Sequence, residues 1–192
     1  MPILKRSLEV FPSGLFDIPD GELPWWVAHV RSRQEKALAR HLLPLEIPFY
    51  LPLWERTIRR SGRTFISYLP LFPGYVFFRG TAAERMAALR SNLIVRVLEV
   101  TDQDTLGGEL LQVRTLQEAG ADLTPYVEFV PGDPVRIMEG PFEGYTGIVL
   151  RVPGRTRLVI SITMLRQAVT VEFDRRVLAP TSLNVKRSLA VS

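Results

Sequence analysis

The feature that most constrains this chain is a change of pattern near Phe129. Before it, β-prone apolar runs alternate with segments of helical period. After it, only short β-prone runs remain, about ten residues apart and separated by Gly-Pro, Pro-Gly and charged turns. One domain of either kind cannot carry both patterns, so the chain divides into a mixed domain and a small all-β domain. Its 192 residues suffice for two such units, each with a modest core. Gly120, Asp122, Thr124 and Pro125 mark a flexible linker over residues 120–128.

In the mixed domain, residues 24–119, Trp25 to Val30 reads as a strand. Gln34 to Leu43 reads as a helix, with Ala37, Leu38, His41 and Leu42 at helical spacing until Pro44. Phe49 to Trp54 and Thr64 to Leu69 are β-prone runs joined by Glu55 to Arg63, where Ser61-Gly62 suits a hairpin tip. Tyr75 to Phe78 is apolar at every position, which predicts a central strand over Gly74 to Arg79. Thr81 with Glu84 forms a capping-box pattern, so a helix starts there and ends near Ser91. A strand over Ile94 to Val100 and a third helix over Glu109 to Glu118 complete the unit. This order suits an antiparallel sheet with helices on one face, an α+β fold. Closely spaced Pro and Gly make residues 1–23 a flexible extension, docking through Leu15 and Phe16. Val135 to Met138, Thr146 to Val152, Leu158 to Ile162 and Val169 to Phe173 predict a small barrel over residues 129–180, with 181–192 as a tail.

Chemistry narrows the function. There is no cysteine, and therefore no disulfide, thiolate metal site or cysteine nucleophile. The two histidines, His29 and His41, lack carboxylates at ligand-like spacing. Ser32 and Ser61 lack a His/Asp arrangement, and no Gly-rich phosphate loop precedes a helix. The expectation is a protein that is not an enzyme and takes no metal or cofactor. No apolar run reaches the ~18 residues of a spanning helix and no secretion signal opens the chain, so the expected location is cytoplasmic, without membrane. Residues 24–100 hold 12 Arg/Lys against 5 Asp/Glu, whereas the remainder is slightly acidic. Of the 24 basic residues 21 are arginine, the side chain whose planar fork suits phosphate oxygens.

Pro131-Gly-Asp-Pro-Val-Arg-Ile-Met-Glu-Gly-Pro-Phe-Glu-Gly-Tyr-Thr-Gly147 closely resembles the KOW motif of the bacterial NusG family, and Arg157 to Ile162 and Val171 to Asp174 resemble the later strands of that SH3-like barrel. Trp25-Trp26-Val27 before a Glu35-Lys36 helix, and Leu71-Phe-Pro-Gly-Tyr-Val-Phe77, are similar to the NusG amino-terminal (NGN) domain. Thr57 to Pro73 is similar to RfaH, the specialised paralogue; a housekeeping member is the other reading.

The resemblance implies a monomeric transcription elongation and antitermination factor. Its NGN domain would bind the clamp helices of RNA polymerase, meet the non-template DNA and reduce pausing, while its KOW domain would recruit the ribosome or Rho. By position, Phe72, Pro73 and Tyr75 match the polymerase-binding element, with Trp26 and Phe49 as neighbours. Arg31, Arg33, Arg59, Arg60 and Arg63 fall on the DNA-facing surface, and His41 matches a histidine there. The same aromatics also suit a core, the arginines a solvated face, and His41 a packed position. Met164, Leu165 and Arg166 stand in the partner-binding loop, where the family carries Ile-Phe-Gly-Arg. The hydrophobic pair is kept, but Gly and Arg are replaced, which leaves the partner open. Thr, Val and Ile dominate residues 158–173, favouring strands over a helical alternative. A ribosome-associated KOW-type RNA-binding protein is the alternative function; it would lack the Trp25 to Val100 module.

Overall fold

A computed structural model describes residues 8–19, 21–60, 62–126, 133–137, 146–152, 155–165, 167–173 and 178–180. Up to residue 118 the elements are β1 (Val10–Phe11), β2 (Trp25–Val30), α1 (Glu35–Leu42), β3 (Phe49–Tyr50), β4 (Leu53–Arg60), β5 (Arg63–Pro70), β6 (Tyr75–Arg79), α2 (Ala82–Leu89), β7 (Ile94–Glu99) and α3 (Gln103–Glu118). Five strands form an antiparallel sheet in the order β1-β3-β6-β2-β7, and β4 with β5 makes a separate two-stranded hairpin. The apolar run of β6 takes the centre, with Val76, Phe77 and Phe78 fully buried.

Cross-strand register sorts the side chains. Trp25, Val27, Tyr50, Phe77 and Arg79 share one face, and Trp26, Ala28, Phe49, Val76 and Phe78 the other. Leu38, Ala39 and Leu42 of α1 and Ala88 of α2 cover the second face. The expectation of helices on one face describes α1 and α2 only. The first face is covered by Leu106, Leu110, Val113 and Leu116 of α3.

Local chemistry explains the helix ends. Thr81 and Glu84 form the expected capping box. The third helix begins at Gln103 instead of Glu109, because the Asp102 carboxylate accepts from the Thr105 amide at 3.0 Å. Gly107 and Gly108 weaken the helical signal in the sequence. Gly107 has a tertiary reason to be there: a Cβ at this position would stand 3.3 Å from Trp25 Nε1. Two amides about four turns apart fasten α3 to the sheet. Gln103 accepts from the Trp25 amide at 2.6 Å, and Gln117 accepts from the Tyr50 hydroxyl at 2.6 Å while donating to the Leu53 carbonyl at 2.8 Å.

The extension expected over residues 1–23 docks on the sheet along its described part, through Leu15 and Phe16 as expected, while Leu8, Ser13, Asp17, Pro19, Gly21 and Glu22 stay exposed. β1 pairs with β3, Leu15 is fully buried, and the Phe16 ring contacts Trp25 and Tyr50 with centroids 5.8 and 5.3 Å away. The buried Arg79 guanidinium donates to the carbonyls of Ile18, Pro19 and Leu23 and lies 5.3 Å from the Trp25 ring centroid.

Beyond α3 come β8 (Thr124–Tyr126), β9 (Asp133–Ile137), β10 (Thr146–Val152), β11 (Arg155–Ile162), β12 (Gln167–Phe173) and β13 (Leu178–Pro180). They form an antiparallel sheet ordered β13-β9-β10-β11-β12-β8. Thr124–Tyr126, expected in the linker, pairs with β12, and residues 119–123 connect it to α3, turning at Gly120 and burying Leu123. Residues 158–162 and 167–173 are strands, in line with their β-branched composition. α3 packs against β11, and Ile160, Ile162, Val169 and Val171 belong to the same apolar cluster as α3 and the first sheet. Residues 131–132 and 138–145 of the glycine-rich motif, and 181–192, lie outside the described residues.

Candidate functional site

The turn between β5 and β6 is where several expected site residues meet. Gly74 adopts φ +85°, a conformation that costs other residues strain. Its amide donates to Glu35 Oε1 at 2.8 Å, and its carbonyl accepts from the Val30 amide at 2.8 Å. Glu35 is buried, but it sits in the first turn of α1, where unpaired helix amides favour a carboxylate. Leu71 and Phe72 point inward, and Phe72 meets Phe77 edge-on at 5.7 Å. Pro73 is left exposed and Tyr75 half-buried, its ring 5.2 Å from His29.

The five residues expected to bind polymerase therefore do not form one patch. Phe72, Pro73 and Tyr75 adjoin one another. Trp26 and Phe49 lie on the opposite sheet face, beneath α1 and α2. Phe49 and Phe72, at 0% and 1% exposure, are core residues with no surface to offer a partner, which corrects the expectation for these two. Trp26 is half-buried: its indole donates to the Gly80 carbonyl at 2.8 Å and the Arg85 guanidinium lies over its ring at 5.1 Å.

The arginines separate as well. Arg31 and Arg33 are exposed on the loop between β2 and α1, near the β5–β6 turn. Arg59 and Arg63 are exposed at the far end of the hairpin, with Arg60 paired to Arg63 in register. Lys36 Nζ donates to the Tyr68 carbonyl at 2.6 Å, tying α1 to the hairpin's root; burial, with Arg40 adding, lowers the Lys36 pKa. From Tyr68 to Arg63 the strand advances ~17 Å at ~3.4 Å per residue, so root and tip are distinct cationic positions. His41 is half-buried with Nε2 shielded from solvent, so only part of its ring faces outward.

In the second sheet, Met164 and Leu165 are half-buried on a short turn between β11 and β12, packed against the shared apolar cluster. Arg166 lies outside the described residues. Glu35, which holds the turn, entered the sequence reading only as part of the Glu35-Lys36 motif, and Tyr50, Arg79 and Gln117, which fasten the arm and α3 to the sheet, were not singled out from sequence. Burial pushes the Tyr50 phenol well above its ordinary pKa. The one sequence signal for Arg79 is a lone charge closing an otherwise apolar central strand. Among the described residues no group of three His, Asp or Glu is placed to hold a metal, and no helix is long and apolar enough to cross a membrane.

A family model described as NusG, transcription termination factor, matches residues 23–107, from the end of the arm into α3. A transcription termination/antitermination protein NusG from Pseudomonas aeruginosa is 24% identical over 170 residues, covering 78% of this chain and 94% of the relative. Its counterpart from Buchnera aphidicola is 28% identical over 126 residues, covering 60% of this chain and 67% of the relative. A solved structure of Thermotoga maritima NusG superposes with a TM-score of 0.52 at 18% identity, over 84% of this chain and 98% of that one, which shows a shared fold.

Proposed function

Because the chain belongs to the NusG family, we infer that it is a transcription termination/antitermination factor, a binding protein without catalytic residues that acts in the cytoplasm with RNA polymerase. The observation that carries this reading is the coincidence of the family match at residues 23–107 with a domain that carries an exposed, arginine-bearing hairpin and a β5–β6 turn held by the Gly74–Glu35 bond. Pro73 and Tyr75, rigidly presented by the Gly74–Glu35 bond, contact the polymerase clamp helices. Phe72 supports them from below, while Trp26 and Phe49 keep the sheet in shape. Arg31, Arg33, Arg59, Arg60 and Arg63 meet the phosphates of the non-template strand, a salt-dependent and mostly sequence-blind contact. His41 contributes there through the exposed part of its ring.

The second sheet is the KOW barrel, which recruits the ribosome or Rho through Met164, Leu165 and Arg166. Met164 and Leu165 are packed on the cluster shared with α3, so a partner that takes them must displace that packing. The test is transcription in vitro with purified bacterial polymerase. The protein should shorten pauses, on every template if it is a general factor and only on particular leader sequences if it is a specialised paralogue. Unchanged pausing together with co-sedimentation on ribosomes would favour the ribosome-associated alternative.

A further inference from the structure

We propose that Lys36 is an acylation site, taking an acyl group from a small acyl phosphate whose phosphate is held by Arg40, and that its modification loosens the β4–β5 hairpin from α1. The proposal goes beyond the functional reading and does not depend on what the hairpin binds.

Sequence and geometry single out this amine. Arginine fills 21 of the 24 basic positions, and the three lysines are Lys5, Lys36 and Lys186. Lys36 is the one lysine among the described residues; it is half-buried in the first turn of α1, and its Nζ donates to the Tyr68 carbonyl at 2.6 Å. A guanidinium can make such a bond too, but it stays protonated and offers no lone pair, whereas an ammonium that loses one proton becomes a nucleophile and still has N–H groups to donate. The surroundings favour that loss. Burial disfavours the charge and Arg40 repels it, and together they outweigh the pull of Glu35 and of Glu9 in the arm, so the Lys36 pKa is lowered. The first turn of a helix, with its unpaired backbone amides, also disfavours a cation.

Arg40 selects the donor. It is exposed, four residues further along α1 on the same side, with its Cβ about 6 Å from that of Lys36. Its donor fork suits phosphate oxygens, and an acyl carbon joined to that phosphate through one oxygen then lies beside Nζ. The neutral amine attacks the acyl carbon. A C–N bond forms, the bond from carbon to the phosphate oxygen breaks with its electron pair leaving on phosphate, and the amine proton passes to that anion. The products are an amide and hydrogen phosphate, with nothing oxidised or reduced.

Modification changes how the hairpin is held. The amide is neutral and keeps a single N–H, so the charge-assisted bond to Tyr68 gives way to one about half as strong, and the acyl group needs room between α1 and the strand. Tyr68 stands at the hairpin's root, paired with Glu55 and packed against the cluster beneath α1. The Leu71 amide, bonded to the Pro52 carbonyl at 2.8 Å, closes that root.

The test incubates the full chain with acetyl phosphate and follows the three lysines by peptide mass spectrometry. Lys36 should be acetylated faster than Lys5 and Lys186, and its rate should level off at a lower pH than theirs. Arg40→Gln should slow the reaction of Lys36 with acetyl phosphate roughly threefold, as loss of one exposed ion pair implies, and affect its reaction with acetic anhydride, which carries no phosphate, far less. Hydrogen exchange at the Leu71 amide should accelerate roughly fivefold in the acetylated chain and in Lys36→Gln, but not in Lys36→Arg, which keeps a charged donor. Acetylation of Lys36 no faster than of the other two lysines, an equal effect of Arg40→Gln on both reagents, or unchanged exchange at Leu71 in the acetylated chain would each overturn the proposal.

Discussion

Replacing Arg79 by methionine tests how the first domain is held together. The guanidinium donates Nε to the Leu23 carbonyl at 2.6 Å, Nη1 to Ile18 at 2.8 Å and Nη2 to Pro19 at 3.0 Å, and it contacts the Trp25 ring. Each charge-assisted bond is worth about 1.5–3 kcal/mol net. Their sum is an upper limit, because methionine also removes the cost of burying a charge and the freed carbonyls can rehydrate. The loss is further bounded by what the arm contributes when docked, chiefly burial of Leu15 at roughly 1.5–3 kcal/mol and the Phe16 ring contacts. A destabilisation of about 3 kcal/mol follows. With a urea m-value of about 2 kcal/mol/M, the unfolding midpoint followed by tryptophan fluorescence should fall by about 1.5 M. Hydrogen exchange should accelerate at the Leu51 amide, which is bonded to the Glu9 carbonyl in the arm. Arg79→Lys should recover less than half of the loss, since one ammonium cannot reproduce a three-way fork. A midpoint shift in Arg79→Met under about 0.5 M, or full recovery by lysine, would refute this view of the arm.

Two further outcomes follow from single contacts. Gly74→Ala places a side chain at φ +85° with its Cβ 3.7 Å from His29, an ordinary contact, so only backbone strain of about 1–2 kcal/mol is expected. Thermal melting should show a fall of roughly 2–8 °C. The second concerns pH. The Tyr50 phenol keeps its proton in the folded state at pH values where the unfolded chain, titrating near 10, has lost it. The folded state then binds more protons, so stability is fully present below pH ~10 and declines as pH rises above it. Urea midpoints measured from pH 9 to 11 should fall less steeply in Tyr50→Phe, which removes the titrating group together with its bond to Gln117.

What was legible in the sequence was local. The Thr81–Glu84 capping box, the stop at Pro44, the all-apolar β6 and the strands of residues 158–173 each depend on neighbours in the chain, and each is found in the structure. What escaped depends on distant partners. The first turns of α3 were hidden by Gly107 and Gly108, and Gly107 makes sense only against Trp25. Residues 55–60 read as a connection because their charge obscures strand character; β4 exists there because β5 pairs with it residue for residue. The arm looked loose because its anchor, Arg79, is about sixty residues away. At the candidate site, residue type could place aromatics near the β5–β6 turn but not divide them between core and surface. That division followed from register at Phe49, which is turned under α1, and from the β5–β6 turn, which directs Phe72 toward Phe77 and leaves Pro73 outside.

The central claim is that this chain engages RNA polymerase through the turn held by Gly74 and Glu35. The most direct measurement is the affinity of the full chain for purified bacterial core RNA polymerase, compared with a Pro73→Ala, Tyr75→Ala double variant and with Met86→Ala, an exposed position on α2. The wild-type chain and Met86→Ala should bind alike, and the double variant roughly thirtyfold more weakly, as loss of ~2 kcal/mol at a hot spot implies. Failure of the wild-type chain to bind, or equal affinity in the double variant, would contradict it.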